Sequence, residues 1–300
     1  MNRVIIGSLL FILVLVANLA AQLGVSCLAL VFSLIAFKEA LEILNKQDIK
    51  VSKILALFFI CLFHFLAFII PQPYEGNFYL VCLSYVFIYL LFILSFALIK
   101  VINKSLYVLD LKKELVYSLA LISYLGFAPS FYPLIRGLES GDLYLMVIIV
   151  SVALNDIFAL IGGKNFGLIP LTKTISPNKK IEGSLFGLLT GSLGFSFLIL
   201  YFGHGLDAHL LSSLGDLLRK YFHIIDYKET FLNYIAVFTL ALLIALIAQL
   251  GDLFESMIKR RAKVKDSGTI LLSQGGILDR VDSHYFSIPF AYLIFYFFIR

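Results

Sequence analysis

The chain has 300 residues, 61% of them hydrophobic and 14% charged, with a net charge of +5 and a mean hydropathy of +0.97. A soluble domain carries about 25% charged residues, so the composition excludes a water-soluble globular fold. With no basic soluble domain present, it also excludes a nucleic-acid partner.

Nine apolar segments follow in chain order, each long enough, or nearly so, to cross a bilayer. They are Val4–Ala21, Leu23–Phe37, Ile54–Ile70, Phe78–Ile99, Leu115–Ile135, Leu143–Ile161, Leu185–Phe202, Phe231–Leu250 and Tyr285–Ile299. Arg3 and the stretch Ala17 to Ala21 resemble a signal peptide, but the apolar run continues to Phe37. It reads as two uncleaved spans joined near Gln22-Leu23-Gly24. The expected fold is therefore all-α and polytopic, with about nine transmembrane helices.

Lys and Arg fall unevenly between these segments. Alternate connections hold 19 and 5 of them, which places the N-terminus and the lysine-rich connections in the cytoplasm. Between Gly203 and Thr230, Leu210, Leu211, Leu214, Leu217, Leu218 and Ile225 repeat at mixed spacings of three and four. Asp216, Arg219 and Lys220 lie on the other face, so an interfacial amphipathic helix is expected. Cys27, Cys61 and Cys82 lie in or beside apolar runs without C-x-x-C spacing, and the five histidines show no H-x-x-x-H pattern. Neither a zinc site nor a disulfide framework is indicated.

Polar chemistry is concentrated in four places. Asn155-Asp156 lies inside an apolar segment, where an aspartate costs about 2.5–3.5 kcal/mol on insertion scales and so faces a polar cavity. By span parity Asp156 lies about five residues, roughly 8 Å, short of the cytoplasmic boundary. Next, Gly162-Gly163-Lys164-Asn165-Phe166-Gly167 reads as a Gly-rich turn, followed by Ser176-Pro177-Asn178-Lys179-Lys180. Together they make a candidate phosphate cradle, although neither dinucleotide nor P-loop spacing is present. Asp252, Glu255, Ser256 and Lys259 share one face if the preceding helix continues past Leu250. Finally, Gly275-Gly276 permits a tight turn before Asp279-Arg280-Val281-Asp282. There two aspartates can face one cation, and Asp282 or Ser283 suits the N-cap of the last span. Between Gly251 and Ser283 the chain carries five carboxylates and six Lys or Arg. Carboxylates hold divalent cations and cations hold phosphates, so the mixture points to phosphate chemistry at a bilayer surface.

These residues resemble the phosphatidate cytidylyltransferase (CDP-diacylglycerol synthase) family. The match runs gaplessly through Ser256, Ile258, Lys259, Arg260, Lys265, Asp266, Gly268, Leu271, Gly275, Gly276, Ile277, Asp279, Arg280, Val281 and Asp282. Upstream, Asp156, Gly163 to Gly167 and Ser176 to Gly183 resemble further family pieces. Leu272 stands where the family has Pro, and Gln274 where it has His.

The resemblance implies an enzyme joining CTP and phosphatidate into CDP-diacylglycerol and pyrophosphate, with Mg²⁺ as cofactor. It implies Asp252, Asp279, Asp282 and Asp156 as metal ligands, with Asp252, Asp279, Asp282, Lys259 and Arg280 catalytic. Lys164, Ser176, Lys179, Glu255, Ser256, Arg260, Lys265, Asp266, Gly275 and Gly276 would bind substrate. The catalytic transmembrane region would be 136–300, after an N-terminal transmembrane region 1–135. The implied setting is the inner (cytoplasmic) membrane, multi-pass, with the site facing the cytoplasm, and a homodimer is allowed. A transporter fits the hydropathy but leaves the loop carboxylates unexplained, and the D-G-x2-A-R pattern of CDP-alcohol phosphotransferases is absent.

Overall fold

The computed structural model describes residues 3–70, 77–102, 108–172, 174–202 and 229–298. The interfacial helix expected between Leu210 and Ile225 lies outside the described residues. Among the described residues the chain is helical, apart from turns and one isolated antiparallel bridge between Pro170 and Lys180. The helices are α1 Arg3–Leu19, α2 Ala21–Asn45, α3 Lys53–Ile69, α4 Asn77–Ile102, α5 Val108–Ile122, α6 Phe131–Arg136, α7 Gly141–Phe166, α8 Ile181–Phe202, α9 Glu229–Arg261 and α10 Leu278–Phe298.

Among the described residues the apolar segments marked in the sequence fall on helix, apart from turns at Ala20 and 128–130 and the end of the third segment at Ile70. Five helical stretches among the described residues are long and apolar enough to cross a membrane: 78–102, 110–136, 141–166, 181–199 and 235–261. Shorter apolar helices occupy 5–19 and 53–69. The chain is an integral membrane protein on this pattern.

Some boundaries differ from those expected. The first turn falls at Ala20–Ala21, where Ala21 has φ 57°, rather than at Gln22–Gly24. Helix α2 continues eight residues beyond Phe37, to Asn45, and carries Glu39. The segment Leu115–Ile135 is interrupted by a π-helical turn, Ser123–Phe127, before α6. Pro129, which lacks an N–H, prevents a straight continuation there.

The chain forms two compact units. The first comprises residues 1–138 and 258–281, the second 139–257 and 282–300. The first is packed by aromatic edge contacts, among them Phe63–Tyr85 at 5.1 Å and Phe127–Phe131 at 5.0 Å between ring centres. Polar groups also pair across its helices. Tyr85 and Ser130 hydroxyls meet at 2.7 Å, and the Lys100–Glu114 ion pair spans 2.7 Å.

In the second unit α7 and α8 lie against each other along a line of small residues. A Cβ on Gly183 would stand 2.7 Å from the Gly163 nitrogen, so only glycine allows this approach. The sequence reading took Gly162–Gly167 as a Gly-rich turn. The helix in fact runs through to Phe166, and these glycines serve helix packing. Asp156 lies ten residues before the helix end, roughly 15 Å along the axis. Tyr144 and Phe295 stack at 4.3 Å and close the far side of this unit.

Candidate active site

The second unit contains a cavity of about 630 Å³. Asp156 from α7, Asp252 and Gln249 from α9, and Ser184 from α8 line it, together with Lys164, Ser176, Asn178, Lys179 and Lys180. Four of the residues singled out in separate stretches of sequence, Asp156, Lys164, Ser176 and Lys179, thus share one wall with Asp252. Ala159, Leu160, Leu171 and Leu253 supply an apolar side.

Local geometry explains this gathering. The connection from α7 to α8 folds back on itself. The Leu171 N–H donates to Lys179 O at 2.7 Å, and the Ile181 N–H donates to Ile169 O at 2.9 Å. Thr172 Oγ1 accepts from the Ser176 N–H at 3.0 Å. Ser176, Lys179 and Lys180 are thereby held at the cavity mouth. Lys179 Nζ pairs with Asp252 Oδ2, both side chains about one-third exposed.

Below the mouth a polar clamp ties three helices. Gln249 Nε2 donates to Asn155 Oδ1 at 2.9 Å and to Ser184 O at 3.0 Å, and Ser184 Oγ donates to Gln249 Oε1. Asn155 Nδ2 in turn donates to Asp156 Oδ1 at 3.3 Å. Gln249 was not foreseen. An isolated amide in an apolar run was its only sequence signal.

Negative charge accumulates in the same unit. Asp282 stands ahead of the apolar stretch that begins at Tyr285, and only 6% of it is exposed. Burial pushes its carboxyl well above the usual range, and the nearby charges of Asp252, Glu255 and Asp156 push it further. Its Oδ1 accepts from the Ser283 N–H at 2.7 Å. Glu255 and Ser256 on α9 are buried as well.

Among the described residues no three His, Cys, Asp or Glu side chains gather closely enough to hold a metal ion alone. The carboxylates sense one another's charge without forming a closed cage. Such a donor set fits Mg²⁺, which keeps several waters and takes one or two carboxylates plus substrate phosphates.

In the first unit the residues from Lys259 to Asp279 form a loop wound round two acids. Asp279 accepts from Lys259 Nζ at 2.5 Å, from the Ser267 N–H at 2.8 Å, from Ser267 Oγ at 2.9 Å and from the Gly276 N–H at 2.8 Å. Burial alone would raise its carboxyl, but Lys259 and the Gly276 and Ser267 donors outweigh it and hold the group below the usual range. Asp279 is thus committed to protein partners. The second acid, Glu39 of α2, is 2% exposed. Sequence reading missed it, although it lies at helical spacing from the buried Ala36 and Ile43.

Gly275 has φ 83°, as the glycine pair suggested. Asp282 and Ser283 do not cap the last helix, because α10 already begins at Leu278 and its first N–H groups point to Glu39. Arg260, Lys265, Asp266 and Arg280 are exposed, and the Arg280 guanidinium donates to Gln274 O at 2.9 Å.

A sequence profile of the cytidylyltransferase family matches residues 1–298. Three similar curated proteins are named phosphatidate cytidylyltransferase. The Aquifex aeolicus protein is 34% identical over 170 residues, 55% of this chain and 54% of the relative. The Helicobacter pylori protein is 35% identical over 159 residues, 53% of this chain and 49% of the relative. The Rickettsia prowazekii protein is 38% identical over 156 residues, 52% of this chain and 60% of the relative. The chain spans about half the length of the curated relatives it matches.

Proposed function

The chain belongs to the cytidylyltransferase family, and on that premise we propose that it joins CTP to phosphatidate, releasing pyrophosphate and forming CDP-diacylglycerol. The observation that carries this reading is the cavity in which Asp156 and Asp252 face Lys164, Lys179 and Lys180. Carboxylates and ammonium groups in one polar pocket, with an apolar side wall, suit a phosphate-bearing lipid and a nucleotide triphosphate.

The phosphatidate phosphate attacks the α-phosphorus of CTP. A new P–O–P bond forms, the bond to the β-phosphate breaks, and pyrophosphate leaves in line. The attacking phosphomonoester has a second pKa of about 6, so at neutral pH no base is required to ionise it. The obstacle is the meeting of two polyanions, which positioned cations answer. Lys179 exchanges Asp252 for a substrate phosphate, while Lys164 and Lys180 hold further phosphate oxygens. Ser176 adds a hydroxyl donor. In the first unit Lys265, Arg260 and Arg280 are exposed cations, and the family resemblance favours them as phosphate-binding groups. Asp279 maintains the loop that carries them and orients Lys259.

One or two of Asp252, Asp282 and Asp156, with substrate phosphates, would hold Mg²⁺, which supplies charge neutralisation of the triphosphate when bound. Asp279 was the further ligand implied by the resemblance. Its four donors favour a positioning role instead.

The remaining setting follows from sequence. The 19-to-5 distribution of Lys and Arg supports nine spans, a cytoplasmic N-terminus and a site open to cytoplasmic CTP at the inner membrane. Acyl chains would enter laterally from the bilayer. Incubation of the purified protein with CTP, phosphatidate and Mg²⁺ tests the activity. CDP-diacylglycerol and pyrophosphate in equal amounts, abolished by EDTA, are expected, and no lipid product would overturn the reading.

A further inference from the structure

Glu39 lies 228 to 239 residues before the groups that donate to it. Its Oε1 accepts from the Ile277 N–H at 3.0 Å, and its Oε2 accepts from the Leu278 N–H at 2.9 Å and from Ser267 Oγ at 3.0 Å. The first two donors belong to the start of α10, whose leading N–H groups have no partner inside the helix. A carboxylate there satisfies them and lies at the positive end of the helix dipole.

The third donor, Ser267 Oγ, is 2.9 Å from Asp279 Oδ2 as well, so its single proton is shared between two acids. Glu39 and Asp279 thus each tie Ser267 to the far end of the loop, Glu39 at Ile277 and Leu278 and Asp279 at Gly276. The fit leaves no slack. A Cβ on Gly268 would stand 2.6 Å from Glu39 Oε1, and one on Gly276 would collide with Glu39 Oε2 and Ser267 Oγ.

Nothing about lipid packing calls for a carboxylate at this place in α2. Burying one costs several kcal/mol unless its acceptors are satisfied. What the acid provides is a fixed conformation for a loop bearing Lys265, Asp266, Gly275 and Gly276.

We infer that Glu39 is a positioning residue, clamping the Ser267–Leu278 loop and thereby fixing the flanking Lys265 and Arg280, the exposed cations that the proposed activity assigns to the nucleotide. The inference rests on the proposed activity for its catalytic half and on the geometry alone for the clamp. Gln at this position keeps the shape but turns an NH₂ toward a backbone N–H, so one clamp bond is replaced by repulsion.

The test uses the full chain in detergent, as parent, Glu39→Gln, Glu39→Ala and Lys38→Ala, the last being the exposed neighbour. Amide exchange is followed in peptides covering 265–280, alongside kcat and the two KM values. Glu39→Gln and Glu39→Ala are expected to exchange at least tenfold faster in those peptides, with α7 and α8 unchanged. KM for CTP should rise at least fivefold and kcat should fall tenfold, while KM for phosphatidate stays within twofold. Lys38→Ala should match the parent. A merely structural Glu39 would lower only the active fraction, leaving both KM values unchanged, and that result overturns the catalytic half. Unchanged exchange in Glu39→Gln overturns the clamp. A parent without turnover would remove the activity reading and the catalytic half with it, while exchange still decides the clamp.

Discussion

Lys259 Nζ lies 2.5 Å from Asp279 Oδ1, with both side chains about one-tenth exposed. Two residues twenty positions apart thereby close the loop that carries most of the family signature. Breaking a buried pair by removing one partner costs on the order of 3–5 kcal/mol. Asp279→Asn is therefore expected to lower the melting temperature as well as turnover, the latter at least 100-fold. Melting in detergent and lipid labelling measure the two. Loss of turnover with unchanged melting would show that Asp279 acts on substrate rather than on the loop.

Asp279 and Asp282 are three residues apart and should respond to pH with opposite sign. The Asp279 carboxyl is held below its ordinary value of 3.8. Its contribution to stability is present above that value and is lost as pH falls through the lower folded value. The Asp282 carboxyl is held above 3.8. Its contribution is full below 3.8 and lost as pH rises through the raised folded value. Removing that charge relieves the repulsion from Asp252, Glu255 and Asp156. In EDTA at pH 7, Asp282→Asn should melt higher than the parent, while turnover in Mg²⁺ falls at least 100-fold. Thermal scans from pH 4 to 8 should show a flatter profile for the variant.

Gln249 joins α7, α8 and α9 through its side-chain amide. Gln249→Leu removes its bonds to Asn155 and Ser184, each worth on the order of 1 kcal/mol. With Asp156 no longer oriented through Asn155, kcat should fall roughly tenfold at little cost to membrane insertion. Steady-state kinetics on the purified variant check this.

Restoring the family's residues at the two departures should have unlike effects. Leu272 has φ 51°, and its N–H donates to Thr269 O at 3.0 Å. Proline is locked near −65° and has no N–H. Leu272→Pro should therefore lower both melting temperature and turnover, although it recreates the signature. Gln274 engages Arg280 through its backbone oxygen, which any side chain preserves. Gln274→His should leave kcat/KM within about threefold, because the attacking phosphate is already ionised.

Much of the helical architecture was legible in sequence because most apolar segments had bilayer length or nearly so. The continuation of the span ending near Leu250 into Asp252 and Lys259 was legible too, since no Pro interrupts it. The Gly162–Gly167 stretch was misread because glycine signals a turn and a close helix contact equally well, and only the neighbour Gly183 separates them. Ser176, Lys179, Asp156 and Asp252 could be nominated one by one but not assembled, since the fold-back of the α7–α8 connection depends on backbone bonds. Glu39 stayed hidden because its partners are backbone amides more than 200 residues away, which no local pattern encodes.

The account stands on transfer of the cytidylyl group itself, and positional labelling of CTP reads that most directly. With purified protein, phosphatidate and Mg²⁺, label in the α-phosphate should enter the lipid fraction in equal amount to the pyrophosphate released, and label in the γ-phosphate should appear only in pyrophosphate. Label entering lipid from the γ position, or none entering from the α position, would contradict the account.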